Sequence, residues 1–201
     1  MKLYRLFRSF FRAIFSFAYR WQVIGREHIP KEGPVILCAN HISLWDPPLL
    51  GSGIERQVCF MAKEELFRIP VLSWFITQFG AFPVKRGAGD RAAIRSTLHI
   101  LEQGKVLGIF PEGSRSKTGQ IRQGQGGAAM FALKSQAEVV PVAIIGPYRL
   151  FRPITIIYGK PIDLSAYREA KTNSETVKSV TELIMAEIRS LHEQHRSSAS
   201  V

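Results

Sequence analysis

The chain is poor in cysteine, poor in acidic residues and without a long uncharged apolar run. Two cysteines in 201 residues, Cys38 and Cys59, give no disulfide framework. Cys38 sits inside the apolar run Pro34-Val35-Ile36-Leu37-Cys38-Ala39, where a thiol reads as a small core residue. A reducing compartment is therefore expected. Asp and Glu number 16 against 27 Lys and Arg, and the net charge is +11. That imbalance points to an anionic partner: nucleic acid, an acidic membrane surface or a phosphorylated substrate. No zinc-ligand spacing, RNP-type aromatic strand or basic recognition helix supports nucleic acid. Arg5, Arg8, Arg12 and Arg20 interrupt the apolar N-terminus, so it holds no uncharged stretch of about 20 residues able to span a bilayer. A signal-peptide layout is not expected there either. No Gly-Lys-Ser/Thr follows a glycine at P-loop spacing, and Ser114 lacks the Gly-x-Ser-x-Gly frame of a nucleophile elbow.

What is present is the pattern of an α/β domain. Length fits one domain, with about 70% of the unfolded chain's surface buried on folding. Buried strands are expected over 35–39, 106–110 and 139–145, with further strands over 22–26, 56–62, 81–84 and 154–158. Helices are expected over 70–79, 90–103, 128–135 and 175–195, and another starts at Asp46-Pro47, with Asp46 as cap and Pro47 in the first turn. Strands alternating with helices predict a single domain over 21–196 with a central, mostly parallel or mixed sheet flanked by helices. Residues 197–201 are expected to be a frayed tail. Pro141 inside Val140-Pro141-Val142 predicts a strand edge or a bulge.

Residues 1–20 read as an amphipathic appendage. At 100° per residue, Leu3, Leu6, Phe7, Phe10, Phe11, Ile14, Phe17 and Ala18 share one face, and Arg5, Arg8, Arg12 and Arg20 lie opposite. Aromatic bulk against arginine describes a helix in a membrane interface, with Arg5, Phe7, Arg8, Phe10, Phe11, Arg12, Ile14 and Phe17 as the membrane-binding set. The alternative is a helix docked on the protein's own core.

Four blocks stand at strand ends, where the sites of open α/β sheets gather. In Asn40-His41-Ile42-Ser43-Leu44-Trp45-Asp46, His41 is a base suited to neutral pH and Asp46 a carboxylate able to orient it. Gly80-Ala81-Phe82-Pro83-Val84-Lys85-Arg86 ends in two cations suited to a phosphate. Phe110-Pro111-Glu112-Gly113-Ser114-Arg115-Ser116 opens a polar loop, with glycine for close backbone approach. Val140-Pro141-Val142 is the fourth block.

Together these blocks resemble the glycerolipid acyltransferase family, whose type activity converts 1-acylglycerol-3-phosphate to phosphatidic acid. Asn40, His41 and Asp46 match its Asn-His-x-x-x-x-Asp motif. Gly80 to Arg86 match its second motif loosely, Phe110 to Ser116 its Phe-Pro-Glu-Gly-Thr-Arg-Ser motif with Ser114 for threonine, and Val140 to Val142 its Val-Pro-Val. Family members often place Phe-Lys before the glycine of the next helix; here Ile121-Arg122 stands nearby and that lysine is missing.

The resemblance implies His41 as base and Asp46 as its orienting partner. It assigns the acceptor phosphate to Lys85, Arg86, Glu112, Gly113, Ser114 and Arg115. The acyl donor is a thioester, acyl-CoA or acyl-carrier protein, with no bound cofactor or metal. The expected location is the cytoplasmic face of the cell membrane, peripheral or monotopic, with a lyso-phospholipid and an anionic membrane as partners and no nucleic acid. Glycerol-3-phosphate, a lyso-ornithine lipid or another lyso-lipid remain open as acceptors. A basic peripheral membrane protein with a non-catalytic site is the alternative of a different class.

Overall fold

The computed structural model of the protein describes residues 2–84, 91–170 and 172–196. The second-block cations Lys85 and Arg86 and the 197–201 tail lie outside the described residues. Seven strands form one sheet: β1 (Gln22–Ile24), β2 (Val35–Ala39), β3 (Val58–Lys63), β4 (Ala81–Val84), β5 (Val106–Ile109), β6 (Glu138–Ile145) and β7 (Thr155–Tyr158). Their order is β1-β7-β6-β2-β5-β3-β4. Strands β2 to β6 run parallel, β7 pairs antiparallel with β6, and β1 is parallel to β7, so the sheet is mixed. The helices are α1 (Lys2–Tyr19), α2 (Asp46–Ser52), α3 (Pro70–Gln78), α4 (Arg91–Glu102), α5 (Gly127–Lys134), α6 (Ser165–Glu169) and α7 (Ser174–Arg196).

The alternation of a strand's side chains splits the core in two. Val35, Leu37 and Ala39 of β2 face a cluster with Phe11 and Phe15 of α1 and Leu49 and Leu50 of α2. Ile36 and Cys38 face the other side, with Ala128 and Phe131 of α5 and Val180, Ile184 and Ile188 of α7. Strand β2 is buried along its whole length because helices cover both faces.

The connection after β2 leads past β5 to β3, and the connection after β5 leads back past β2 to β6. The helices α2 and α5 on these two connections pack on opposite faces. Neighbouring strands whose connections diverge in this way leave a crevice at their C-terminal ends. The first and third sequence blocks meet there.

Two local expectations change. The strand expected over 22–26 stops at Ile24 and gives way to a 3-10 turn, Arg26–His28. Pro141 lies in an interior strand rather than at an edge, and the β6–β2 register runs unbroken through it. The irregularity is on the partner: Val142 faces Tyr158 while Val139 faces Ile162, so three steps along β6 meet four there.

Helix α1 is not an appendage. Phe15 is fully buried, and Tyr4 donates to the Gly51 carbonyl at 3.3 Å. Arg8 and Arg12, expected to face headgroups, turn inward instead. Arg8 is buried, reaches the Ile54 and Glu55 carbonyls and pairs with the Glu55 carboxylate at 2.6 Å. Arg12 reaches the Ser52 and Ile54 carbonyls and the Glu55 carboxylate at 2.8 Å. The physical reason is the end of α2, whose terminal carbonyls carry partial negative charge and need donors. Phe11 is also withdrawn into the core, and Phe7 and Ile14 are half-buried. Of the expected membrane set, Arg5, Phe10 and Phe17 are exposed.

Candidate active site

Asn40, at the end of β2, uses its side-chain amide as a strand residue would. Its Nδ2 donates to the Ile144 carbonyl at 2.9 Å, and its Oδ1 accepts from the Ile144 amide at 2.7 Å. This ties the end of β2 to β6 and sets where the chain turns into His41.

The His41 backbone is then gripped from β5. Its N–H donates to Glu112 Oε1 at 2.9 Å, and its carbonyl accepts from the Ser116 amide at 2.7 Å. Its ring lies against Phe110 at 4.0 Å between centroids and 17° between planes. Phe110 in turn lies parallel to Phe60, 6.4 Å away. Phe60 fills space left by Gly108, where a Cβ would fall 2.3 Å from it. Glycine on β5 thus makes room for the ring column that supports His41.

Asp46 does not cap α2 through its side chain, as the sequence pattern predicted; the cap position is Trp45 and no side-chain cap bond forms. The carboxylate turns back instead, fully buried, into four donors. Oδ2 accepts from His41 Nδ1 at 2.7 Å, Ile42 N–H at 2.6 Å and Ser43 N–H at 2.7 Å. Oδ1 accepts from the Tyr148 hydroxyl at 2.7 Å. A carboxylate surrounded only by donors is ionised, so Nδ1 of His41 carries the proton. Nε2 is left as the basic nitrogen, on a side chain 16% exposed. Among the described residues no serine hydroxyl or cysteine thiol bonds to the His41 ring, and Cys38 is buried with its thiol pushed above its usual range by desolvation.

Tyr148 is the member of this cluster that the sequence motifs missed. Burial, together with the Asp46 carboxylate beside it, pushes its phenol far above the usual range, so it stays protonated and donates. Tyr19 at the end of α1 meets its ring edge-on at 6.0 Å. The available signal was an aromatic hydroxyl just past the end of β6, on the side of the sheet where the dyad sits.

The third block divides into inner and outer parts. Glu112 is buried with both oxygens engaged: Oε1 on His41, Oε2 on the Arg122 N–H at 3.1 Å and on Arg122 Nε at 3.5 Å. Glu112, expected among the acceptor-binding groups, braces the His41 and Arg122 backbones here. Arg122 Nη2 continues to the Ser114 carbonyl and hydroxyl. Gly113 adopts φ +71°, a conformation that favours glycine, and its N–H closes a turn onto the Phe110 carbonyl. Gly113, Ser114 and Arg115 are exposed. Strand β4 delivers the chain to Val84 at the C-terminal edge of the sheet, the edge where His41 sits.

A buried carboxylate, an imidazole oriented by it and a polar loop from the neighbouring strand meet in one cluster at the C-terminal end of the sheet. The sequence model of the Acyltransferase family matches residues 20–145, which hold both site blocks. The 1-acyl-sn-glycerol-3-phosphate acyltransferase of Streptococcus pneumoniae is 31% identical over 204 aligned residues, covering 94% of this chain and 75% of that protein. The enzyme of the same name from Bacillus subtilis is 28% identical, covering 94% and 96%. The crystal structure of the 1-acyl-sn-glycerophosphate (LPA) acyltransferase PlsC from Thermotoga maritima superposes with a TM-score of 0.73 at 28% identity, covering 94% of this chain and 79% of that one. The chain belongs to the acyltransferase family and is an O-acyltransferase.

Proposed function

We propose that the protein moves a fatty acyl group from a thioester to the free hydroxyl of 1-acylglycerol-3-phosphate, giving phosphatidic acid. The observation that carries this reading is the dyad with its basic nitrogen free: Nδ1 of His41 is committed to Asp46 at 2.7 Å, leaving Nε2 for the acceptor. His41 takes the hydroxyl proton as that oxygen attacks the thioester carbonyl carbon. The tetrahedral intermediate collapses, the C–S bond breaks, and the departing sulfur takes the proton back from the imidazolium. The thioester supplies the activation, so no acyl-enzyme, metal or bound cofactor is required. Ser114 and Arg115, exposed beside the dyad loop, together with Lys85 and Arg86, are the proposed phosphate contacts.

The acceptor is a lipid, and a surface feature supports collection from a membrane. No helix among the described residues is long and apolar enough to cross one. Leu6, Phe10 and Phe17 of α1 are exposed, as are Ile69, Val71 and Trp74 at and within α3. Phe7 joins the two helices through Trp74, Phe75 and Phe79, with centroids 5.0–6.1 Å away. Apolar surface of this extent on a basic protein fits an anionic membrane interface. Buried free thiols at Cys38 and Cys59 fit the cytoplasmic side.

The test is to incubate purified protein with acyl-CoA or acyl-carrier protein and a panel of 1-acylglycerol-3-phosphate, glycerol-3-phosphate and lyso-ornithine lipid, identifying products by mass. Phosphatidic acid is the expected product, and His41→Ala lowers its formation by at least about 10²-fold. Preferred acylation of another acceptor overturns the substrate; near-normal turnover by His41→Ala overturns the base.

A further inference from the structure

The loop after β6, residues 146–153, has a feature that acyl transfer does not account for. Its base is fixed: Tyr148 holds Asp46, the Phe151 N–H donates to the Ala18 carbonyl at 2.7 Å, and the Ile154 N–H donates to the Tyr19 carbonyl at 3.1 Å. Its tip is bare: Leu150 is 65% and Phe151 64% exposed. Phe151 also adopts φ +62°, a backbone region that a bulky side chain enters only at a cost. The fold thus holds a strained phenylalanine out into solvent beside a leucine. Arg149 and Arg152 flank the pair, and Arg20 follows the end of α1 next to it; all three are exposed, and none pairs with an acid among the described residues. Residues 147–153 contain no acidic side chain.

We infer that this loop is a second lipid-contacting element: Leu150 and Phe151 enter an anionic lipid surface while Arg149, Arg152 and Arg20 lie at the phosphate headgroups. Two observations choose lipid over protein. The tip is hydrogen-bonded to the end of α1 at Ala18, next in sequence to Phe17, which is 83% exposed. Apolar side chains ringed by unpaired cations match the layering of acyl chains beneath anionic headgroups. The inference rests on the membrane reading of α1 and extends it to the loop that holds the catalytic carboxylate. Lipid contact at the tip places the surface that delivers the acceptor on the same loop as the Tyr148–Asp46 bond.

The test attaches a polarity-sensitive fluorophore to Leu150→Cys, to Phe17→Cys on α1, and to exposed Glu175→Cys on α7, which packs on the opposite face of the sheet. Each full-length labelled protein is titrated with phosphatidylglycerol–phosphatidylcholine vesicles and with an acidic acyl-carrier protein. Cys38 and Cys59 are buried and take up little label, as the unsubstituted protein checks. Expected are blue shifts at positions 150 and 17 with vesicles and none at 175. A response at 17 without one at 150 overturns this inference and leaves the α1 reading standing; silence at both overturns the membrane reading itself. A response at 150 to carrier protein and not to vesicles assigns the loop to a protein partner and overturns the inference, as does an equal response at 175. In the unlabelled protein, Leu150→Ser with Phe151→Ser weakens vesicle binding by on the order of 10-fold or more, since two large apolar side chains leave the interface. Undiminished binding by that folded variant also overturns it.

Discussion

Replacing Tyr148 with phenylalanine removes one oxygen and keeps the ring against Tyr19. The consequence follows from the burial of Asp46. Four donors satisfy its carboxylate, and Tyr148 is the one on Oδ1. Deleting the hydroxyl strands a charged oxygen that no water reaches directly. A hydrogen bond to a charged buried group is worth about 1.5–3 kcal/mol. In a chain of this size that lowers Tm by roughly 3–12 °C. If about half of it is felt in the transition state, kcat falls roughly 4- to 12-fold. The split between kcat and KM separates positioning from a binding role: the hydroxyl holds Asp46, so kcat falls while KM for the acceptor holds. The phenol itself contributes no pH limb in the parent protein, since burial and Asp46 hold it protonated. The assay is thiol release from acyl-CoA, with KM for the acceptor followed separately. A variant with kcat within twofold of the parent refutes the reasoning, as does a change confined to KM.

Other perturbations follow from the same contacts. Glu112→Gln sets an amide NH2 against either the His41 or the Arg122 N–H and removes a buried charge-assisted bond; kcat should fall by about 10-fold or more with lowered Tm, and unchanged turnover would show that the brace is dispensable. Gly108→Ala drives a methyl group to 2.3 Å from Phe60, which should cost about 1–3 kcal/mol and slow turnover through Phe110 and His41; a thermal melt matching the parent's counts against the ring column. The Glu55 carboxyl is held below its usual range by its hydrogen bond to Arg12 and then by the nearby charges of Arg12 and Arg8. A depressed folded value stabilises the protein above the unfolded pKa, about 4.3 for Glu, and that stabilisation is lost as pH falls through the folded value. The Tm gap between the parent and Glu55→Gln should therefore be full at neutral pH and close in acid; a gap independent of pH contradicts the assignment.

Much of this protein was legible along the chain because the relevant information was local. Strand alternation and helical spacing depend on neighbours a few residues apart, so β2, β4 and α3 fall where the pattern puts them, within a residue. The dyad was legible for the same reason: His41 and Asp46 are five residues apart, and the intervening turn brings Asp46 onto Nδ1. Roles set by distant partners were not. Glu112 has the composition of a ligand-binding loop, yet its oxygens go to His41, 71 residues away, and to Arg122. Tyr148 reaches Asp46 across 102 residues.

Helix α1 shows the division most clearly. Its amphipathic period, with aromatics against arginines, belongs to the sequence alone and guarantees a two-faced helix. Which face turns inward depends on what the fold offers beside it. Packing turns Phe11 and Phe15 into the core, and the carbonyl end of α2 with Glu55 draws Arg8 and Arg12 inward. Leu6, Phe10 and Phe17 are left outside. Periodicity is written in the order of residues, whereas the rotation of a helix about its axis is decided only by the surface against which it packs.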